Sequence, residues 1–156
     1  MLDDDTIERY ARQIVVPGIG AAGQETLLHS TVLVVGHLRG CRTAGLYLRA
    51  AGVHVESGIS VVDAVVVCDA SVLDEAGREE ICSLHVPVFW YATDRDGFTS
   101  GVHPGACLPA AAAAPALEAP DDRDSVHDAA ACEAASAACA TLLGLPCPAG
   151  PFRFDC

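Results

Sequence analysis

The chain has 156 residues, a formal net charge of −12, nine arginines and no lysine. A length of this order fits one domain with a sizeable core. The charge argues against nucleic acid or an anionic membrane as a partner, since both need a basic face, and the missing lysine excludes a Schiff base and a lysine-held phosphate. Hydrophobic residues make up 51% and aromatics 5%, so the core must be built from Val, Leu, Ile and Ala. The longest apolar runs, such as Val65–Val67 and Thr31–Val35, are too short to span a bilayer. Met1 is followed by Leu2-Asp3-Asp4-Asp5, an acidic start unlike a secretory signal, and a cytoplasmic location is expected.

Asp5–Gln13 has the pattern of a short helix, with Asp4 or Asp5 as its cap. Pro17-Gly18 and Gly20 break it. Ala21–His29 reads as a second helix, so 1–30 is a helical amino-terminal segment. Thr31–Val35 is a β-rich run ended by Gly36. A loop over Gly36–Gly40 follows, then a helix over Cys41–Ala51 stopped by Gly52, then a short strand over Val53–Glu56. Strand, glycine turn, helix and strand make a βαβ unit, which favours a parallel sheet.

Ala64–Cys68 reads as a strand buried on both faces. Leu73–Leu84 reads as a helix, and Val86–Tyr91 as a strand with Pro87 at its start. Phe98–Val102 is a further strand after an Asp96-Gly97 turn. The segment 104–124 is rich in Ala and Pro and reads as a connection. Ser125–Leu143 is an alanine-rich helix, with Ser125 as cap, Asp128 at capping-box distance and Gly144 as stop. Phe152–Phe154 reads as a last strand. The expected fold is a single α/β domain over 1–156, a Rossmann-like, mostly parallel sheet flanked by helices.

The eight cysteines lie at 41, 68, 82, 107, 132, 139, 147 and 156. No pair has C-x-x-C spacing, which gives zinc little support. Without a secretory start a disulfide framework is not expected. Most are read as small buried apolar residues. His37, His85 and His103 are candidates for a metal or proton site, against the commoner structural role of isolated histidines.

A phosphate-binding turn between strand and helix is glycine-rich because the backbone must approach the phosphates closely. Here the turn reads Gly36-His37-Leu38-Arg39-Gly40-Cys41. Two glycines remain and bulky residues fill the rest. Around it stand Glu8-Arg9-Tyr10-Ala11-Arg12-Gln13-Ile14, Pro17-Gly18-Ile19-Gly20, Gly23-Gln24-Glu25, Leu28-His29-Ser30, Val32-Leu33-Val34-Val35-Gly36, Leu46-Tyr47-Leu48 and Ala50-Ala51-Gly52-Val53, in that order. This arrangement resembles the amino-terminal region of the E1-like superfamily, the ThiF/MoeB/HesA adenylyltransferases and ubiquitin-activating enzymes. The close match covers the first third of the chain. Asp63–Asp69, Val86-Pro87-Val88, Gly97-Phe98, Gly144-Leu145-Pro146 and Phe152-Arg153-Phe154-Asp155 are weaker echoes.

The resemblance implies a truncated E1-like (ThiF) fold and, for an active member, ATP and magnesium. The carboxylate of a ubiquitin-like or sulfur-carrier protein then attacks the α-phosphate and pyrophosphate leaves. Arg12 matches the family's amino-terminal arginine that reaches the phosphates, often across a dimer interface. Gly36, Arg39 and Gly40 fall in the phosphate loop, and Glu56 near the ribose-binding acid. Asp69 is two residues before the expected metal-binding acid, at Ser71 or Val72. The segment that supplies an asparagine, an arginine and a lysine is missing between Val53 and Ala64. Cys107 matches a zinc-binding stretch whose partner position is Pro104.

These departures favour a degenerate member without a bound cofactor or metal. It would be a non-catalytic homodimeric or heterodimeric partner of an E1-like protein in activating a ubiquitin-like or sulfur-carrier protein. Two alternatives stay open. One is a minimal ATP-dependent adenylyltransferase using Arg12, Arg39, Glu56 and Asp69. The other is a nucleotide-binding module without that chemistry.

Overall fold

The computed structural model describes residues 2–58, 61–93, 97–103, 124–147 and 151–155. Helices α1 (Asp4–Ile14) and α2 (Gly20–His29) lead into strand β1 (Thr31–Gly36), helix α3 (Leu38–Ala51) and strand β2 (His54–Glu56). Strand β3 (Ala64–Cys68), a 3-10 turn at Ala70–Val72, helix α4 (Glu75–Ser83) and strand β4 (Val88–Thr93) follow. Strand β5 (Gly97–His103), helix α5 (Asp124–Leu142) and strand β6 (Pro151–Asp155) complete the order.

The strands form one sheet in the order β2-β1-β3-β4-β5-β6. Strands β1 to β4 pair in parallel, whereas β5 pairs antiparallel with both β4 and β6. The α/β class and mostly parallel sheet are as expected. Parallel neighbours need crossovers, and α3 and α4 supply them. The order reverses between β1 and β3, so the crevice beyond their carboxyl ends is where such sheets place ligands.

Strand β3 is buried throughout and alternates between two cores. Val66 and Cys68 face α3 and α5, together with Val34, Phe89 and Tyr91. Val65 and Val67 face the other side, with Ile81 of α4 and Trp90. Helix α5 meets its face through Ala130, Ala131, Ala134, Ala135 and Ala138, all buried. Small side chains let a helix axis lie close to its neighbours.

The amino-terminal helices hold the far end of α3. A helix ends with carbonyls that lack intrahelical partners. Gln13 Nε2 donates to the Ala50 carbonyl at 3.0 Å, and fully buried Gln24 donates to Ala51 at 2.9 Å. Gly52 caps the helix with φ +98°, and a Cβ there would meet Gln24 at 2.9 Å.

Several local readings are corrected. Asp3 caps α1, accepting from the Thr6 amide at 2.8 Å, and Asp4 and Asp5 sit in the first turn. Helix α3 begins at Leu38, so the expected loop over Gly36–Gly40 is a strand end, a cap and a first helical turn. Asp74 caps α4 by accepting from Gly77, which starts that helix two residues later than the periodicity indicates. Pro87 precedes β4, and its carbonyl accepts from Val65. Helix α5 begins at Asp124, the expected last residue of the connection, so Ser125 lies inside the first turn. Asp96, Pro104 and Cys107, with 104–123, lie outside the described residues. Cys68 is buried, whereas Cys41, Cys82, Cys132, Cys139 and Cys147 are only partly so. Burial pushes the Cys139 thiol up to about 11. Among the described residues no helix is long and apolar enough to cross a membrane.

Gly36 combines φ +113° with a close approach: a Cβ would fall 2.1 Å from the Cys68 carbonyl oxygen. Gly20 has φ +62° with nothing within 4 Å of its Cβ position. Gly36→Ala should therefore cost about 3 kcal/mol or more, and Gly20→Ala about 1–2 kcal/mol. Urea unfolding of both variants checks this, and equal costs would refute the steric part.

Candidate functional site

The candidate site is the crevice between the carboxyl ends of β1 and β3. The β1–β3 ladder continues to this point. Gly36 is in register with Cys68, and the His37 amide donates to the Cys68 carbonyl at 2.6 Å. His37 is also the cap of α3, with no side-chain capping bond. Its carbonyl accepts from Cys41, which starts the helical ladder at once.

The His37 ring turns toward α5. It stacks on His127 with centroids 4.0 Å apart and an interplanar angle of 15°. Tyr91 of β4 reaches the same point from below: its hydroxyl lies 3.3 Å from His127 Nδ1. A Cβ on Gly40 would sit 1.9 Å from the Tyr91 oxygen and 3.0 Å from Cys68 Cβ. Gly40 therefore leaves room for a tyrosine hydroxyl in this structure. The burial of Tyr91 raises its ionisation well above the usual phenol range, with Cys68 and Asp69 adding to the effect.

Arg39 leans across to α5. Its Nη2 and Nε donate to Asp128 Oδ2 at 2.6 and 3.2 Å. Thr43 Oγ1 donates to the other carboxylate oxygen at 2.5 Å. These bonds hold the Asp128 carboxyl below its ordinary value, the Arg39 bond foremost. An open groove of about 550 Å³ runs beside them, lined by Leu38, Arg39, Arg42, Thr43, Leu46 and Asp128.

Asp69 follows β3 with φ +63° and is 4% exposed. One carboxylate oxygen accepts from the Ser71 amide at 3.2 Å and its hydroxyl at 2.5 Å. The other accepts from Thr93 Oγ1 at 2.7 Å. The carboxylate thus fastens the 3-10 turn to β4.

The structure brings Gly36, Gly40 and Asp69 to the crevice and Arg39 to its rim. Glu56 is exposed on edge strand β2, level with Leu33. That is three residues short of Gly36, about 10 Å along the strand. Arg12 is exposed in the last turn of α1. His85 and His103 lie elsewhere: His85 has its Nδ1 2.6 Å from the Ser83 carbonyl oxygen, and His103 stacks on Trp90. Among the described residues no three His, Cys, Asp or Glu converge as a metal set. Sequence reading missed Tyr91 and His127, since no local pattern separates them from core or surface residues.

No protein-family model matches the chain. Over 53 residues, 33% of the chain, it is 47% identical to the adenylyltransferase and sulfurtransferase MOCS3 of Dictyostelium discoideum. Over 54 residues it is 52% identical to the vegetative HesA protein of Trichormus variabilis. The matched stretches amount to 12% and 20% of those relatives' lengths. The crystal structure of selenomethionine PaaA superposes with a TM-score of 0.64 at 14% identity, over 95% of this chain and 78% of that one. That likeness shows a shared fold. The resemblance to the ThiF/MoeB/HesA group holds as homology over about a third of the chain.

The Arg39–Asp128 link gives a pH-dependent prediction. Asp128 has its folded value depressed below the ordinary 3.8. Its contribution is complete above that value and lost as pH falls through the folded one. The two side chains are 42% and 34% exposed, so solvent screens the pair. Asp128→Asn should cost about 0.5–1 kcal/mol at neutral pH and nothing once the Asp128 carboxyl would be protonated in both the folded and the unfolded chain. Denaturation across pH checks this, and a cost that persists in acid would contradict it.

Proposed function

We propose, from homology to E1-like adenylyltransferases over a third of the chain and a Rossmann-like sheet, that this chain is a non-catalytic E1-like partner domain. It acts in the cytoplasm, as a homodimer or paired with another E1-like protein, in activating a ubiquitin-like or sulfur-carrier protein. One observation carries the reading: the chain's own groups pair with one another around the start of α3. Tyr91 occupies the space that Gly40 leaves, and His37 is bonded to Cys68 and stacked on His127.

The residues present do not fit a nucleoside triphosphate with its magnesium. A phosphate cradle needs free backbone amides and space above glycine. Here the His37 amide is spent on Cys68, and a tyrosine oxygen fills the space between Gly40 and the sheet. A positive group must neutralise the developing charge, yet Arg39 is bonded to Asp128. The acid nearest the metal position, Asp69, is fastened by Ser71 and Thr93. The retained helices, with Gln13 and Gln24 bracing α3, fit a domain kept for its shape and surface.

Calorimetry with magnesium–ATP should give no saturable heat up to about 1 mM nucleotide, a limit near −4 kcal/mol. Pyrophosphate exchange should stay at background with any carrier protein. Light scattering should report a dimer, alone or with an E1-like enzyme. Carrier-dependent exchange would instead establish the minimal adenylyltransferase. A chain that stays a 16.1 kDa monomer in every mixture would remove the partner role.

A further inference from the structure

Helix α3 carries three of the chain's nine arginines and no carboxylate. Its inner side, with Ala44 and Leu48 buried, packs into the core. Leu38, Arg42, Leu46 and Arg49 follow at helical spacing on the side away from it. All four are exposed, Leu38 at 85% and Leu46 at 59%. Arg39 is held by Asp128. Arg42 and Arg49 have no hydrogen-bond or ion-pair partner among the described residues. In a chain of net charge −12, this is a local face of arginine and leucine.

Helix α4 covers the opposite face of the sheet. Ile81 points into the core on that side, and Arg78 turns back to the carbonyls of Leu73 and Ala70. Glu75 and Glu79 stand one helical turn apart on the outer side, both exposed. Val72, just ahead of them, is 53% exposed. Neither glutamate has a hydrogen-bond or ion-pair partner among the described residues. The molecule thus presents arginine and leucine on one side of the sheet, and glutamate and valine on the other. Unpaired charges of opposite sign beside exposed aliphatic side chains make complementary surfaces.

We infer that the outer face of α3 docks the outer face of α4 on a second copy of this chain. The two faces lie on opposite sides of the sheet, so one pair of copies makes the contact only once. The contact is therefore head-to-tail, and every assembly keeps one free face of each kind. The first product is a dimer, and further copies extend it in a line. The net charge repels copies at long range, but at about 0.15 M salt this repulsion is screened beyond about 8 Å. In the docked pair, Arg42 and Arg49 meet Glu75 and Glu79 within that distance, and Leu38, Leu46 and Val72 lose water between them. This goes beyond the partner-domain reading and does not rest on it.

The test is sedimentation equilibrium of the full chain, up to about 1 mM protein in about 0.15 M salt. The average mass should rise past two copies as concentration increases. Arg42→Glu and Glu79→Arg should each weaken association about tenfold or more, because each sets like charges against one another. The double variant, with both charges reversed in one chain, should regain the association. A mass fixed at one or two copies at every concentration would overturn the inference, and a fixed dimer would leave the partner role standing. Unchanged association in either single variant, or no recovery in the double, would also overturn it. Hydrogen exchange of the wild-type chain gives a readout that needs no variant. Amides of both α3 and α4 should exchange more slowly at high than at low concentration, and slowing in only one helix or in neither would contradict head-to-tail docking.

Discussion

The bond from the His37 amide to the Cys68 carbonyl joins the carboxyl ends of β1 and β3 at the place where the strand order reverses. In an open α/β sheet these ends splay apart above the switch point and leave a crevice. Here the last hydrogen bond of the parallel β1–β3 ladder lies at that point, and the surrounding geometry follows. Gly36 must take φ +113° to bring His37 over Cys68, and any side chain there would strike the Cys68 carbonyl. His37 then serves as the last residue before α3, which begins at once. Gly40 passes over the sheet where Tyr91 stands, and the two histidine rings close the top. A buried amide and carbonyl that pair with each other are stabilised, and separating them without new partners costs free energy.

Helix α3 is restrained along its length. At its start Arg39 and Thr43 share the Asp128 carboxylate, which fixes α3 against α5. At its end Gln13 and Gln24 take the Ala50 and Ala51 carbonyls, so α1 and α2 bear directly on the helix. The alanine face of α5 completes the clamp. A helix braced by two amino-terminal helices, a carboxyl-terminal helix and a buried sheet has little freedom to move away from the crevice.

Much of the frame was legible in the residues. Continuous Val-rich runs marked β1 and β3, because a parallel strand buried on both faces needs apolar residues at every position. Gly52 and Gly144 marked helix ends. Gln13 and Gln24 stood within recognisable motifs, but their work as caps for α3 emerges only when three helices are placed together. The candidate site was less legible for the same reason. Gly40 looked like a loop glycine kept for a phosphate, and only the position of Tyr91 shows what fills its space. Tyr91 lies 36 residues before its partner His127, and neither carries a local signature. Asp128 stood at a capping distance from Ser125, yet its carboxylate is bonded across to another helix. A short polar side chain has both local and tertiary partners available, and sequence spacing reports only the local ones.

The central claim is that the protein's own contacts at the ends of β1 and β3 are stable and take no nucleotide. Native-state hydrogen exchange at the His37 amide addresses that bond directly, since exchange requires it to open. The account predicts that the His37 amide is protected to the level of the β3 core amides, and that magnesium–ATP leaves this protection unchanged. Exchange at the rate of an exposed amide, or protection that changes with magnesium–ATP, would contradict it.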